Sequence, residues 1–219
     1  MLLLAADTSG KHGSIALAQC GPGNACEVLE IVPLAGGTFS AQLIPQIAGL
    51  LEKHGFSKHD IDGFAVASGP GSFTGLRVGL AAIKGLAEVL HKPIAALSLL
   101  EAVAEGKSGK IFAAVDAGRG EVYVGEFDGG RRTSFGEQLL TRDEFLATTH
   151  GKAVVTPDPW VVKAVASAGC DLVLIERPRS DAIARIGWKR IQAGQTVSPE
   201  ELDANYIRRS DAEMAKGSR

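Results

Sequence analysis

The sequence predicts an α/β fold with an internal duplication, and three observations carry that expectation. Two near-continuous apolar runs, Leu2 to Ala6 and Ile111 to Val115, each end on an aspartate followed by small residues, at Asp7 and at Asp116. Each run is followed by a turn and a second, returning strand. Between the two runs the hydrophobic period changes from that of strands to that of helices and back. The chain has 219 residues, of which 45% are hydrophobic, 22% charged and 27 glycine. At roughly 100–200 residues per domain this length allows one large domain or two small ones. The apolar share excludes wholesale disorder. Aromatics are only 5%, so the core is built mostly from Ala, Val, Leu and Ile.

In chain order, Leu2 to Ala6 is the first strand, closed by Asp7-Thr8-Ser9-Gly10. Gly13 to Ala18 is the second and Glu27 to Pro33 the third, with hairpin turn chemistry between them at Gly21-Pro22-Gly23-Asn24. From Thr38 to about His54 the spacing is helical, and Leu43, Ile44, Ile47, Leu50 and Leu51 share one face. Ile61 to Ala67 is a buried strand running into the glycine-rich turn from Ser68 to Gly75. A helix follows from about Thr74 to Leu90, stopped by His91-Lys92-Pro93. The order is β-β-β-α-β-α, antiparallel first and then crossing over in parallel.

The second half repeats the opening. Ile111 to Val115 ends at Asp116-Ala117-Gly118, Arg119-Gly120 turns, and Glu121 to Phe127 alternates as a returning strand. The plainer reading is two unrelated hairpins that each end on an Asp turn. Short strands at Ala153 to Thr156 and Leu172 to Ile175 then alternate with helices from Asp158 or Trp160 to Ala168 and from Asp181 to Ala193. Gly106 to Gly109 is the expected boundary, giving lobes of residues 1–106 and 107–219. The final segment is a candidate to pack back on the first lobe, and the polar tail Lys216 to Arg219 is expected to fray.

Composition narrows the function. A formal net charge of −2 argues against binding nucleic acid by electrostatics alone, which needs a clustered basic surface. Cys20, Cys26 and Cys170 are an odd count without CxxC spacing, which fits free thiols in a reducing compartment. The start has no basic region before Asp7 and reads as no signal peptide. No apolar run approaches the ~18 residues that span a bilayer. A cytoplasmic protein is expected, without a membrane role.

Catalytic constellations are scarce. No GxxxxGK[ST] loop exists, because Gly71-Ser72-Phe73-Thr74-Gly75 has the wrong spacing. No GxGxxG follows the first strand, and no GxSxG elbow is found. His12, His54, His59, His91 and His150 never recur at helical ligand spacing, so no metal site is expected. Asp7 and Asp116 can hold Mg²⁺ at a strand end, or cap a tight turn through backbone N–H groups. Asp7, Thr8, Ser9 and Asp116 are therefore candidates for a nucleotide site or for structural turns. In the glycine-rich turn, Ser72 or Thr74 can cap the next helix, whose positive end can receive an anion. That helix carries only Arg77, Lys84 and Glu88 as polar residues between Leu76 and Leu90. Its apolar and small-residue surface is wider than one sheet covers, so a second layer or a partner must cover the rest.

The string from Ser68 to Gly79, SGPGSFTGLRVG, resembles the TsaB (YeaZ) family of the bacterial tRNA threonylcarbamoyladenosine system. Leu4 to Ser9, Asp116 to Tyr123, and Tyr206-Ile207-Arg208 with Ala212-Glu213 are similar to other segments of that family. The resemblance implies an ASKHA (actin-like ATPase) architecture of two ribonuclease-H-like lobes with mixed sheets and flanking helices. It also implies a non-catalytic subunit that pairs with the catalytic homologue TsaD and works with the ATPase TsaE. Their joint reaction is threonylcarbamoyl transfer to N6 of adenosine 37 in tRNAs that read codons beginning with A. The catalytic homologue keeps a metal-binding HxxxH on the first long helix, whereas Thr38 to Pro45 here has no histidine, and Phe39 stands about where many relatives retain one.

From the resemblance and the helix surface together, the partner face is expected at Leu43, Ile44, Ile47, Ser72, Phe73, Thr74, Arg77, Val78 and Ala81. That face is expected to pair with a second copy when the chain is alone and with TsaD in the cell. No cofactor of its own is expected, ATP or ADP being held at the complex junction, and tRNA is met only within the complex. An autonomous ASKHA-type ATPase or kinase, or a metallopeptidase, are the alternatives.

Overall fold

The computed structural model describes residues 1–23, 25–165 and 169–208, which form two compact units. The first comprises Met1–Ser98 with Arg179–Asn205. Its sheet contains β1 (Leu2–Asp7), β2 (His12–Cys20), β3 (Cys26–Ala35), β4 (Ile61–Gly69) and β5 (Ile94–Ser98). They lie in the order β3-β2-β1-β4-β5. The β1–β2 and β2–β3 pairs are antiparallel, whereas β4 and β5 join in parallel. Helices α1 (Phe39–Lys53) and α2 (Phe73–Leu90) supply the buried side chains that meet Leu2, Leu4 and Ala6 on one face of this sheet. On the other face lies α6 (Ser180–Gln192), close enough that a Cβ at Gly187 would fall 2.3 Å from that of Ala65. With both faces covered, every residue of β1 is buried. This is why its sequence is an unbroken apolar run rather than an alternation.

The second unit, Leu99–Pro178 with Tyr206–Arg219, is built on the same plan. Its strands are β6 (Lys110–Gly118), β7 (Glu121–Asp128), β8 (Arg131–Thr141), β9 (Ala153–Thr156) and β10 (Asp171–Leu174). Their order is β10-β9-β6-β7-β8. Antiparallel pairs on the β7 side and parallel pairs on the β9 side reproduce the first sheet strand for strand. One face holds Leu100, Ile111, Ala113, Val115 and Phe127 under α3 (Leu99–Ala104). Phe112, Ala114, Val122 and Val124 fill the other, with Phe145 of α4 (Arg142–Thr149) and Val161 of α5 (Pro159–Val165). Two copies of one mixed five-stranded sheet make the duplication real, in the ribonuclease-H-like form that the resemblance implies.

Two expectations, both on the limits of the lobes, are corrected here. The boundary falls after Ser98 rather than at 106, because Leu99, Leu100, Val103 and Ala104 are buried in the second unit. Residues 179–205 belong to the first unit, because α6 covers its sheet and Val197 bridges to Ile94. Strands β5 and β8 and helices α3 and α4 were not expected; β5 is alanine-rich, and β8 carries a polar outer face with little alternation. Asn24, Ala166 to Ala168, Ala212-Glu213 and the tail from Lys216 lie outside the described residues. Among the described residues no helix is long and apolar enough to cross a membrane.

Candidate functional site

The glycine-rich turn and the end of β1 form one interlocked corner of the first unit. Ser72 donates its N–H to the Ser9 carbonyl at 2.7 Å, and the Thr8 hydroxyl donates to the Gly75 carbonyl at 2.8 Å. The Ser72 hydroxyl caps α2 by accepting the Gly75 N–H at 3.3 Å, so Ser72 and not Thr74 is the cap. Glycine at 71, 75 and 79 is required by close approach. A Cβ at those positions would stand 2.3 Å from the Ser9 carbonyl, 2.2 Å from the Thr8 carbonyl and 2.2 Å from the Thr8 hydroxyl. Part of the small-residue surface of α2 therefore faces inward. Gly75, Leu76, Gly79, Leu80, Ile83 and Ala87 are buried, while Arg77, Ala81, Gly85, Glu88 and Val89 face solvent.

Beside this corner lies a cleft of about 560 Å³ lined by the β1–β2 turn, the start of α1 and the start of α2. Lys11 and His12 stand on one wall, Gly36 and Ser40 on another, and Ser72, Thr74 and Val78 on the third. Phe39 also lines it, 6% exposed, with ring atoms 2.9 Å from where a Gly13 Cβ would lie and 3.4 Å from the Gly75 equivalent. Sequence reasoning found the α2 wall and missed Lys11, His12, Gly36 and Ser40. Their only signal was glycine pairing before the helix and a basic pair in the turn.

Both aspartates accept hydrogen bonds within their own turns. Asp7, 5% exposed, accepts the Ser9 N–H at 2.8 Å and the Ser9 hydroxyl at 2.6 Å. Asp116 accepts the Gly118 N–H at 2.8 Å, and its own N–H donates to Asp158, whose carboxylate also holds Arg177 at 2.5 Å. Such bonds are those of a turn cap. Among the described residues no acidic side chain lines the cleft. Among the described residues no group of three or more metal-type ligands is assembled.

The expected partner face divides. Leu43 and Ile47 are 1% and 4% exposed, so they belong to the core and not to a surface. Ile44 is 50% exposed, which corrects its placement on the same face as they occupy. One residue along a helix is a rotation of 100°, enough to carry it outward. Ser72, Thr74, Arg77 and Ala81 are exposed, and Phe73 and Val78 half-buried. The Arg77 guanidinium lies over the Phe73 ring, 3.8 Å from its centroid. This stacking flattens the charge onto the helix surface.

Residues 31–186 match the model of the family described as TsaD: tRNA N6-adenosine threonylcarbamoyltransferase. The tRNA threonylcarbamoyladenosine biosynthesis protein TsaB of Escherichia coli is 29% identical over 97% of this chain and 96% of its own length. The protein of the same name from Haemophilus influenzae is 35% identical over 65% of this chain and 61% of its own. A crystal structure from Pseudomonas aeruginosa, of a protein with similarity to peptidase YEAZ, superposes with a TM-score of 0.75 at 26% identity. It covers 94% of this chain and 99% of that one.

Proposed function

The chain belongs to the family of tRNA N6-adenosine threonylcarbamoyltransferase TsaD, resembling its TsaB branch, and on that premise we propose that it is a non-catalytic scaffold subunit. It serves threonylcarbamoyl transfer to adenosine in tRNA together with a TsaD homologue and the ATPase TsaE. It works in the cytoplasm and meets tRNA only within that assembly. ATP or ADP is held at the junction of the complex and not by this chain alone.

The observation that carries the reading is Phe39. In the catalytic homologue, as the family resemblance has it, the first long helix presents paired metal-binding histidines. Here Phe39 opens that helix, and its ring packs on Gly13 and Gly75 beneath the cleft. Hydrocarbon in that place supplies neither a metal ligand nor a proton carrier. Asp7 and Asp116, the remaining acids that could serve a nucleotide, accept backbone N–H groups of their own turns.

The exposed side of α2, with Ile44 of α1, is the surface offered to a partner. Ala81, Gly85 and the flattened Arg77 let another helix approach closely. The same surface pairs with a second copy when the chain is alone, so the homodimer and the TsaD complex exclude one another.

The test is tRNA modification by TsaD and TsaE of the same organism, with threonylcarbamoyl-adenylate supplied, with and without this chain. Modification is expected only when all three proteins are present, and the chain alone is expected to turn over no ATP. Transfer or steady ATP hydrolysis by the isolated chain, lost in Asp7→Asn, would overturn the scaffold reading.

A further inference from the structure

Cys20 and Cys26 do not line the cleft and are direct partners across the β2–β3 hairpin. Their Sγ atoms stand 2.8 Å apart, with both thiols free. The backbone around them selects the kind of pairing. Cys20 exchanges both of its main-chain bonds with Met1: its N–H donates to the Met1 carbonyl at 2.8 Å, and its carbonyl accepts the Met1 ammonium at 2.9 Å. It therefore has none to give to β3. The next pair along the hairpin is bonded, through the Gly21 N–H to the Ala25 carbonyl at 2.9 Å. Cys20 and Cys26 thus occupy a non-hydrogen-bonded pair, where Cα atoms approach to about 4.5 Å. That spacing lies within the roughly 4.4–6.8 Å that a disulfide bridges.

We propose that Cys20 and Cys26 are a modification site, closing to an intramolecular cross-strand disulfide by exchange with a low-molecular-weight disulfide of the glutathione type. Cys26 is the attacking sulfur and Cys20 the resolving one. Cys20 is 4% exposed, whereas Cys26 is half-buried and can be reached. The hydrogen bond from the Cys20 thiol lowers the Cys26 pKa, against the opposing effect of burial, and the positive charge of Arg185 on α6 adds to the lowering. The same hydrogen bond, together with burial, raises that of Cys20. The Cys26 thiolate attacks one sulfur of the small disulfide and expels one small thiolate, which takes up a proton. Cys20 then loses its proton and attacks the Cys26 sulfur of the mixed disulfide, expelling the second small thiol. Two protein thiols are oxidised and one small disulfide is reduced to two thiols, so the electrons balance. Cys170 takes no part; its thiol donates to the Thr149 carbonyl at 3.1 Å in the second unit.

The full-length chain is incubated with glutathione disulfide, quenched by alkylation, and examined by thiol count under denaturing conditions and by peptide mapping. Wild type is expected to lose two of its three thiols, to link the Cys20 and Cys26 peptides, and to retain no glutathione. Cys170→Ser is expected to form the same link and to have no thiol left. Cys20→Ser is expected to accumulate glutathione on Cys26, and Cys26→Ser to react at least roughly tenfold more slowly, because its remaining hairpin thiol is buried and protonated. Three thiols persisting in the wild type, glutathione remaining on it, or a bond that includes Cys170 would each overturn the proposal. So would glutathione accumulating faster on Cys20 than on Cys26 in the two serine variants. The wild-type map decides the link even if a serine variant fails to fold.

Discussion

Gly79 and Gly85 sit on the same helix, six residues apart, and their substitution by alanine is expected to have opposite signs. At Gly79 the added methyl would meet the Thr8 hydroxyl at 2.2 Å, and that hydroxyl is held by its bond to the Gly75 carbonyl. Overpacking of this kind costs about 1–3 kcal/mol. At Gly85 nothing lies within 4 Å, so alanine adds only helix preference, a gain of about 0.5–1 kcal/mol. Urea unfolding of the two variants checks the pair; equal effects would mean that the corner is looser than described. Phe39→Ala empties the ring site against Gly13 and Gly75 and is expected to cost about 3–5 kcal/mol by the same measurement.

At the level of the element, β3 and α1 are joined by a small ion cluster in which the Glu30 carboxylate holds Lys53 at 2.7 Å and His54 at 2.8 Å. The bond from Lys53, then that from His54, lowers the Glu30 pKa below the ordinary glutamate value. The folded state therefore binds this proton less readily than the unfolded chain. The stabilising contribution is present above the ordinary glutamate value and is lost as pH falls through the lowered folded one. Stability of the wild type should accordingly fall more steeply on acidification than that of Glu30→Gln, and salt should shrink the difference, because the cluster is open to solvent. Parallel acid titrations of thermal stability at low and high salt check this. Identical acid limbs would show that Glu30 contributes nothing.

For the whole molecule the surface to test is the proposed partner face on the outer side of α2. Val78 is half-buried and packs against the first unit's core, whereas Ala81 is exposed, so a carboxylate at Ala81 leaves that core intact. It places an unpaired charge in any helix–helix contact made there, typically a loss of several kcal/mol of association. Ala81→Glu is expected to run as a folded monomer in size-exclusion chromatography and to fail to support modification by TsaD and TsaE. A variant that stays dimeric and fully supports modification would place the interface elsewhere.

The sequence by itself determined the strands that are buried on both faces, since a strand covered twice must be apolar throughout: Leu2 to Ala6 and Ile111 to Val115 were legible for that reason. It determined α1 and α2 through their period, and the duplication through the two Asp-ended runs. Family membership was legible in the string from Ser68 to Gly79, whose glycines answer to specific close approaches. Only the tertiary structure decided which residues of a helix face inward when apolar residues are adjacent: Leu43 is core and Ile44 is surface. Only it showed that the small residues of α2 serve two faces, with Gly75 and Gly79 turned toward Thr8 and Ala81 and Gly85 toward solvent. The cleft gathers Lys11, Gly36 and Ser72 from three separate segments, and no local pattern encodes such a meeting. The contact of Cys20 with Cys26 depends on strand register, which is set by how β1, β2 and β3 pair and not by the spacing of the cysteines.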